Sequence, residues 1–358
     1  MNKPFSIVSM QIDELKPSRG YERLVRCRDT TTGLDALISI HSTKFGPAAG
    51  GCRMWAYTRL EDAIYDVERL SRGMTYKNAA ADLPLGGGKS VIIGDPDKIK
   101  TPALMRAFGQ FIEHFNGTYY TAEDVGISPN DMAHAAEMTR YVAGLETGEF
   151  ASGDPSPVTA RGVYLCLKKT AEVRLGVNNL SGMRIAVQGL GNVGMALAEM
   201  LHNEGAVLTV SDINKDRLTE ARSRFGAAEV GLNDIYDADV DIFAPCALGG
   251  VLTPDVISRL RARVVAGAAN NQLSTPDCGQ LLQQEGILYA PDYIVNGGGI
   301  VNVAVEILGK TDPEWGERRI LGLVDTLNTV LTRAAQTGTP TNIVADALID
   351  EKLERANG

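Results

Sequence analysis

The chain has 358 residues, 44% of them hydrophobic and 22% charged, the composition of an ordinary soluble globular protein and a length that predicts two domains. A formal net charge of −9 and a pI of about 5.1 exclude the basic face that a nucleic acid or an anionic membrane requires. No run of about 18 apolar residues occurs, and the N-terminal MNKPFSIVSMQIDEL lacks the apolar core of a signal peptide, so a cytoplasmic protein without a membrane partner is expected. Cys27, Cys52, Cys166, Cys246 and Cys278 are odd in number, scattered and without a CxxC pair, the usage of free thiols. His41, His114, His134 and His202 have no metal-ligand spacing, so no metal is expected.

In chain order, Ala36 to Ser42 alternates like a strand, and Lys44 to Arg53, KFGPAAGGCR, follows as a glycine-rich loop. Its small residues Ala48, Ala49, Gly50 and Gly51 suit either a plain turn or a ligand. Leu60, Ile64, Val67, Leu70 and Met74 repeat at the helical period of a core-facing stripe, and Lys77 continues that stripe. Gly86, Gly87 and Gly88 then deliver Lys89 at a point where the backbone can approach a ligand closely. The structural alternative is a lysine that snorkels outward and a turn that merely turns. Ser90 to Gly94 predicts a buried strand, Ala103 to His114 a helix, Asn116-Gly117 a turn, and Tyr119 to Val125 a strand that ends in two acids, Glu123 and Asp124.

Glycine, proline, serine and aspartate cluster from Gly148 to Pro157, which predicts a hinge. The fold class expected is α/β in two domains separated by a cleft. One is an α/β domain made of residues 1–150 plus 331–358; the other, residues 151–330, is expected to be a Rossmann-type dinucleotide-binding domain on the pattern that follows.

The second domain carries the clearest pattern. After a helix from Thr159 to Glu172, Met183 to Gln188 is a buried strand, Gly189-Leu190-Gly191-Asn192-Val193-Gly194 is GxGxxG, Met195 to Asn203 is helical, and Leu208 to Ser211 is a strand ending at Asp212-Ile213. The first glycine permits the tight turn, the second admits a pyrophosphate, the third lets helix pack on strand, and the helix N-terminus faces the negative charge. Asp212 would bind the ribose 2′-hydroxyl and repel a 2′-phosphate, which favours NAD over NADP. Arg217 leaves that open, because a nearby arginine can accommodate the phosphate. Apolar runs at Val240 to Phe243, Arg263 to Ala266 and Ile287 to Tyr289 end in small polar loops, Ala244 to Ala247, Gly267 to Asn271 and Ala290 to Asp292, leading to Asn296 to Gly299. Such loops line the crevice of a doubly wound sheet. A helix from Trp315, with Leu321, Val324, Leu327 and Leu331 as its buried stripe, and a last one ending near Arg355 complete the chain.

GPAAGGCRMW, SRGMTYKNAAADLPLGGGKS, TAEDVG, DPSPVTARGVY, AVQGLGNVG, FAPCALGG, AGAANNQL and YAPDYIVNGGGIVNV occur in one order from about Asp29 to Arg355. On these segments the sequence resembles the amino-acid dehydrogenase family of the glutamate, leucine, valine and phenylalanine enzymes, and within it the leucine dehydrogenases most. The resemblance implies reversible oxidative deamination, in which an L-amino acid, water and NAD⁺ give a 2-oxo acid, ammonia and NADH. Lys77 would bind the substrate carboxylate, Lys89 would be the general base on water, and Asp124 would shuttle protons at the amino nitrogen. Independently, two ammonium groups in one dry cleft can lower a lysine pKa to roughly 7 to 8, as a base needs.

The resemblance also places Arg53, Thr159, Cys246, Ala247, Ala268, Ala269 and Asn270 near cofactor or substrate, and Gly50 at the substrate. It puts the side-chain pocket at Ala49, Met74, Ala122, Ile300 and Val303. Branched aliphatic walls favour leucine, isoleucine or valine. Ala49 instead matches the phenylalanine relatives, so an aromatic L-amino acid, phenylalanine or tryptophan, is the alternative. No wall position offers a cation for a glutamate side chain, and a homo-oligomer is implied. Outside this class stand a hydroxyacid dehydrogenase, which would need a histidine in the crevice, and a non-catalytic NAD-binding protein, which would leave Lys77, Lys89 and Asp124 without a role.

Overall fold

A computed structural model describes residues 10–145 and 153–356. Residues 148–152 of the predicted hinge, and the first nine residues of the chain, lie outside the described residues.

The first unit runs β1 (Met10–Leu15), β2 (Arg23–Asp29), β3 (Leu34–Ser42), β4 (Ala48–Ala49), β5 (Cys52–Trp55), α1 (Leu60–Ala80), β6 (Gly86–Ile93), α2 (Pro96–Ile99), α3 (Pro102–Glu113), β7 (Tyr119–Tyr120) and α4 (Pro129–Ala136). Its seven-stranded sheet has the order β1-β2-β3-β6-β4-β7, with β5 also on β6. β1, β2, β3 and β6 pair antiparallel, and β4, β5 and β7 join in parallel. β1 and β2 escape the sequence reading because charge interrupts their alternation; their ladders and the buried Leu24, Val25 and Cys27 hold them, with ion pairs such as Arg28 to Asp13 at 2.9 Å and Arg26 to Asp35 at 2.6 Å alongside. Lys44 to Arg53 is not the plain loop expected, since pairing with β6 makes strands of Ala48–Ala49 and Cys52–Trp55. The strand predicted over Tyr119 to Val125 keeps only its first two residues and continues as single bridges, Thr121 with Val142 and Cys52 with Glu123.

Two expectations about the lysine stretch need correction. Gly86, Gly87 and Gly88 do not form a ligand loop but the start of β6, and they are glycines because neighbours leave no room. A Cβ on Gly86 would lie 2.0 Å from the Ser42 carbonyl oxygen, on Gly87 2.0 Å from Thr75 Oγ1, and on Gly88 2.7 Å from the Tyr119 ring. The deepest face of α1 is Ala63, Val67, Ser71, Thr75, Asn78 and Ala79, which shares Val67 with the predicted stripe but is otherwise displaced from it by about one position. Leu60, Ile64, Leu70 and Met74 are half-buried, because small residues are needed where the helix presses on the glycine strand.

The second unit runs α5 (Ser156–Leu175), β8 (Arg184–Gln188), α6 (Asn192–Asn203), β9 (Val207–Ser211), α7 (Lys215–Phe225), β10 (Ala228–Glu229), β11 (Ile242–Pro245), α8 (Pro254–Arg259), β12 (Val264–Val265), α9 (Cys278–Gln284), β13 (Leu288–Tyr289), α10 (Asp292–Val295), α11 (Gly298–Ile307), α12 (Pro313–Thr337) and α13 (Thr341–Arg355). Its six strands are all parallel in the order β10-β9-β8-β11-β12-β13, the doubly wound order with its crevice beside β8 and β11. The buried face of α12 is Ile320, Leu323, Leu327, Val330, Leu331 and Ala334; Leu321, predicted to be buried, is 46% exposed. The apolar core of this sheet extends through Ile320, Leu327 and Val344 to Tyr76, Ala79 and Leu83 at the end of α1. α13 thus crosses back to the first unit, where Asp350 accepts a hydrogen bond from Tyr76 and Lys352 Nζ donates to Ala79 O at 3.0 Å.

Candidate active site

A cavity of about 390 Å³ opens between the two units, walled on one side by α1, β6 and the stretch after β7, and on the other by the loops beyond β12 and β13 with α11. Lys89 reaches it from β6 with a side chain only 7% exposed, its Nζ 2.7 Å from Asp124 Oδ2. Burial by itself would raise the Asp124 carboxyl, but the Lys89 ammonium, with Arg53 Nε 3.4 Å behind it, holds it down at about 2. Arg53 is in turn tied to Asp66 at 3.0 Å, and Asp66 also accepts from Tyr57 at 2.6 Å and Arg69 at 2.7 Å. Asp124 Oδ2 is buried and makes the ion pair without a well-aligned hydrogen bond, which leaves it an acceptor for a group entering the cavity.

Lys77 lies in the last turn of α1 and donates to Asn270 Oδ1 at 3.0 Å, across the cleft. Asn270 Oδ1 also accepts from Asn296 Nδ2 at 2.9 Å, so its amide is fixed from both sides. Desolvation lowers the Lys77 pKa to about 8; Lys89 adds to the shift, while Asp292 and Asp124 oppose it. The depressed lysine is therefore Lys77, the expected carboxylate binder, whereas Lys89, the expected base, is the one paired with a carboxylate.

The cavity gathers the expected Gly50, Arg53, Met74, Lys77, Lys89, Ala122 and Asp124 from the first unit, and Thr159, Val193, Ala268, Asn270, Ile300 and Val303 from the second. Ala49 is not among them: held in β4 between β6 and β7, it is fully buried behind Gly50. Leu70, Ile307, Tyr120 and Gly144 extend the wall instead, and Arg69, Asp292 and Asn296 add polar groups that the sequence reading did not assign. The signal for Asp292 and Asn296 was their place in the loop after the last strand; Leu70 was visible as a stripe residue but read as core. No histidine lines the cavity among the described residues, and no cluster in them has the makings of a metal site.

Val193 joins the cavity to the glycine turn. Gly189 has φ of 91°, and a Cβ on it would lie 2.7 Å from that of Ala247. A Cβ on Gly194 would strike the Gly189 carbonyl oxygen at 2.0 Å, whereas one on Gly191 would face open space with only Arg217 Nη1 at 3.6 Å. The first and third glycines thus serve packing, and the second leaves room for an approaching group. α6 starts at Asn192 with Gly191 as its N-cap and no side chain capping its free N–H groups, which fits a pyrophosphate. Asp212 accepts from Leu190 N at 2.5 Å and Asn214 N at 2.7 Å, fixing the turn while each oxygen keeps a lone pair. Ile213 beside it is 85% exposed. Cys246 N donates to Gln188 O at 2.7 Å and Ala269 N to Pro245 O at 2.9 Å, so both lie across the strand ends. Burial pushes the Cys246 thiol up to about 12, so it is inert as a nucleophile.

A Rossmann unit whose glycine turn feeds a cleft holding two lysines and an aspartate defines a dinucleotide-dependent dehydrogenase of a small carboxylate substrate. Two models of one family match the chain, "Glu/Leu/Phe/Val dehydrogenase, dimerisation domain" over residues 21–141 and "Glutamate/Leucine/Phenylalanine/Valine dehydrogenase" over residues 152–216 and 214–339. The chain belongs to this family and is an amino-acid dehydrogenase. It is 49% identical to leucine dehydrogenase of Thermoactinomyces intermedius over 96% of this chain and 94% of the relative. It is 46% identical to phenylalanine dehydrogenase of Lysinibacillus sphaericus, over 83% of this chain and 79% of that one. The crystal structure of L-tryptophan dehydrogenase from Nostoc punctiforme superposes with a TM-score of 0.84 at 41% identity, covering 95% of this chain and 97% of that one.

Proposed function

We propose that the protein catalyses the NAD-dependent, reversible oxidative deamination of a hydrophobic L-amino acid to its 2-oxo acid and ammonia, with leucine, isoleucine or valine favoured. The observation that carries this reading is the convergence of Lys77, Lys89 and Asp124 with Val193 of the glycine turn on one cavity. The Lys77 ammonium, oriented by Asn270, binds the substrate carboxylate. Asp124 accepts a proton from the substrate amino group; Lys89, after giving its own proton to solvent, takes one from the water that attacks the carbon after hydride loss; Asp124 then returns its proton to the nitrogen, and ammonia leaves as the hydroxyl proton passes to solvent and the carbonyl forms. The dinucleotide, when bound, accepts the hydride. The glycine turn, Asp212, Ile213, Arg217, Cys246, Ala247, Ala269 and Thr159 would hold it, and Asp212 at the end of β9 supports NAD over NADP.

Met74, Ala122, Ile300 and Val303, joined by Leu70 and Ile307, form the apolar end that suits a branched side chain. Arg53 and Arg69 also border the cavity, but both are tied to Asp66, and Arg53 is also paired with Asp124, which disfavours a glutamate substrate. An aromatic L-amino acid is the second reading, supported by the small wall residues Ala122 and Gly144 and by the tryptophan and phenylalanine relatives. Residues 1–150 with 331–358 would act as the substrate and oligomerisation domain, supported by α13 packing on α1 and by the dimerisation description of the first family model. A homo-oligomer acting in the cytoplasm completes the reading; five free cysteines support a reducing compartment.

The test is a panel of L-amino acids assayed for NAD⁺ and NADP⁺ reduction at alkaline pH. Fastest turnover with branched aliphatic substrates and NAD⁺ is expected. Absence of NADH formation with every amino acid would leave a non-catalytic nucleotide-binding protein.

A further inference from the structure

Asp292 borders the cavity but has no part in the chemistry above. It opens α10, and its carboxylate is turned on backbone: Oδ2 accepts from Gln272 N at 2.8 Å and Oδ1 from Tyr293 N at 2.7 Å. The loop it holds is the one that presents Asn270. In that loop Asn271 has φ of 51°, a left-handed turn conformation that asparagine tolerates better than other side chains. Gln272 Nε2 ties the loop on itself by donating to Gly267 O at 2.9 Å and Ala269 O at 3.0 Å. Asn270 Oδ1 is thereby delivered to Lys77 Nζ at 3.0 Å.

The charged groups acting on Lys77 are Lys89 from β6, Asp124 from beyond β7, and Asp292 from α10. Asp124 is already committed, 2.7 Å from Lys89 and 3.4 Å from Arg53. Asp292 also acts on Lys77; burial raises the Asp292 carboxyl, and the backbone N–H groups of Gln272 and Tyr293 together with the Lys77 ammonium oppose that rise. We propose that Asp292 is a positioning residue for substrate binding: it clamps the Asn270 loop against Lys77 and sets a negative charge to act on the Lys77 ammonium in the cleft.

The inference rests on Lys77 being the carboxylate ligand, and the experiment separates the two. The probe is 4-methylpentanoate, a carboxylate without an amino group, used as a competitive inhibitor from neutral to alkaline pH. For the unaltered protein, inhibition is expected to weaken as pH rises through about 8, where Lys77 loses its proton. In Asp292→Asn that midpoint should fall by about one pH unit, so that inhibition at the original midpoint is roughly fivefold weaker than in the unaltered protein while kcat changes less than about threefold. Asp292→Glu, which keeps the charge, should restore the original midpoint. An Asp292→Asn protein that binds NADH normally with an unmoved midpoint overturns the inference and leaves Lys77 in its role. If that variant does not fold, a downward shift in Asp292→Glu overturns it as well. Undiminished inhibition in Lys77→Ala overturns the carboxylate assignment, and this inference with it.

Discussion

Two lysines of like charge share one cleft and are distinguished by what each faces. Lys89 has a carboxylate 2.7 Å away; among the described residues Lys77 donates to a neutral amide, and burial leaves its pKa at about 8. Lys89→Ala is expected to lower kcat by about a hundred- to ten-thousandfold, the span of a lost acid–base group, while NADH still binds by fluorescence titration. Near-normal turnover would remove Lys89 from the chemistry. Lys77→Ala is expected to raise KM for the amino acid by about ten- to a hundredfold, the worth of a charged hydrogen bond, with a smaller change in kcat. An unchanged KM would end its carboxylate role. Lysines at the end of a helical stripe and after a glycine run could be singled out from the chain, but which one is paired with a carboxylate could not, because Asp124 reaches Lys89 only through folding.

At the scale of elements, glycines that look alike in the sequence do opposite work. A Cβ on Gly87 would meet Thr75 Oγ1 at 2.0 Å and Thr75 N at 2.1 Å, because α1 lies directly on β6. Gly87→Ala is expected to cost about 1–3 kcal/mol or more and to lower the melting temperature, since the backbone must move. Gly191→Ala, whose Cβ meets nothing closer than 3.6 Å, should melt as the unaltered protein does but bind NADH at least about tenfold more weakly, if the open space belongs to the pyrophosphate. Calorimetry and NADH titration of the pair check both. GxGxxG declared its purpose because a strand, a helix and an acid flank it at the right places. The triple glycine did not, since close approach of a helix and close approach of a ligand ask for the same residue. The stripe on α1 misled for a related reason: apolar residues at helical spacing mark a face turned to other protein or to a cavity, and Leu70 and Met74 face the cavity.

For the whole molecule, the chain ends far from where its site begins, yet α13 returns to the start of the cleft. Lys352 Nζ donates to Ala79 O at 3.0 Å and pairs with Asp82 at 2.7 Å, a cation at the carboxyl end of the helix that carries Lys77. Lys352→Met is expected to cost about 1–2 kcal/mol, read as a lower denaturation midpoint with kcat little changed. A larger effect on kcat than on stability would mean that the helix end moves during turnover. The α/β class, the Rossmann unit, the two lysines and the acid Asp124 were all written in local pattern, because strand, turn and helix preferences act over a few residues. Tertiary structure alone decided that Lys44 to Arg53 holds two strands, that Ala49 lies behind the pocket wall, and that Asp292 stands over the loop that faces Lys77. Each of these depends on partners distant along the chain, and neither their distances nor the desolvation of a charge exists until the two units are packed.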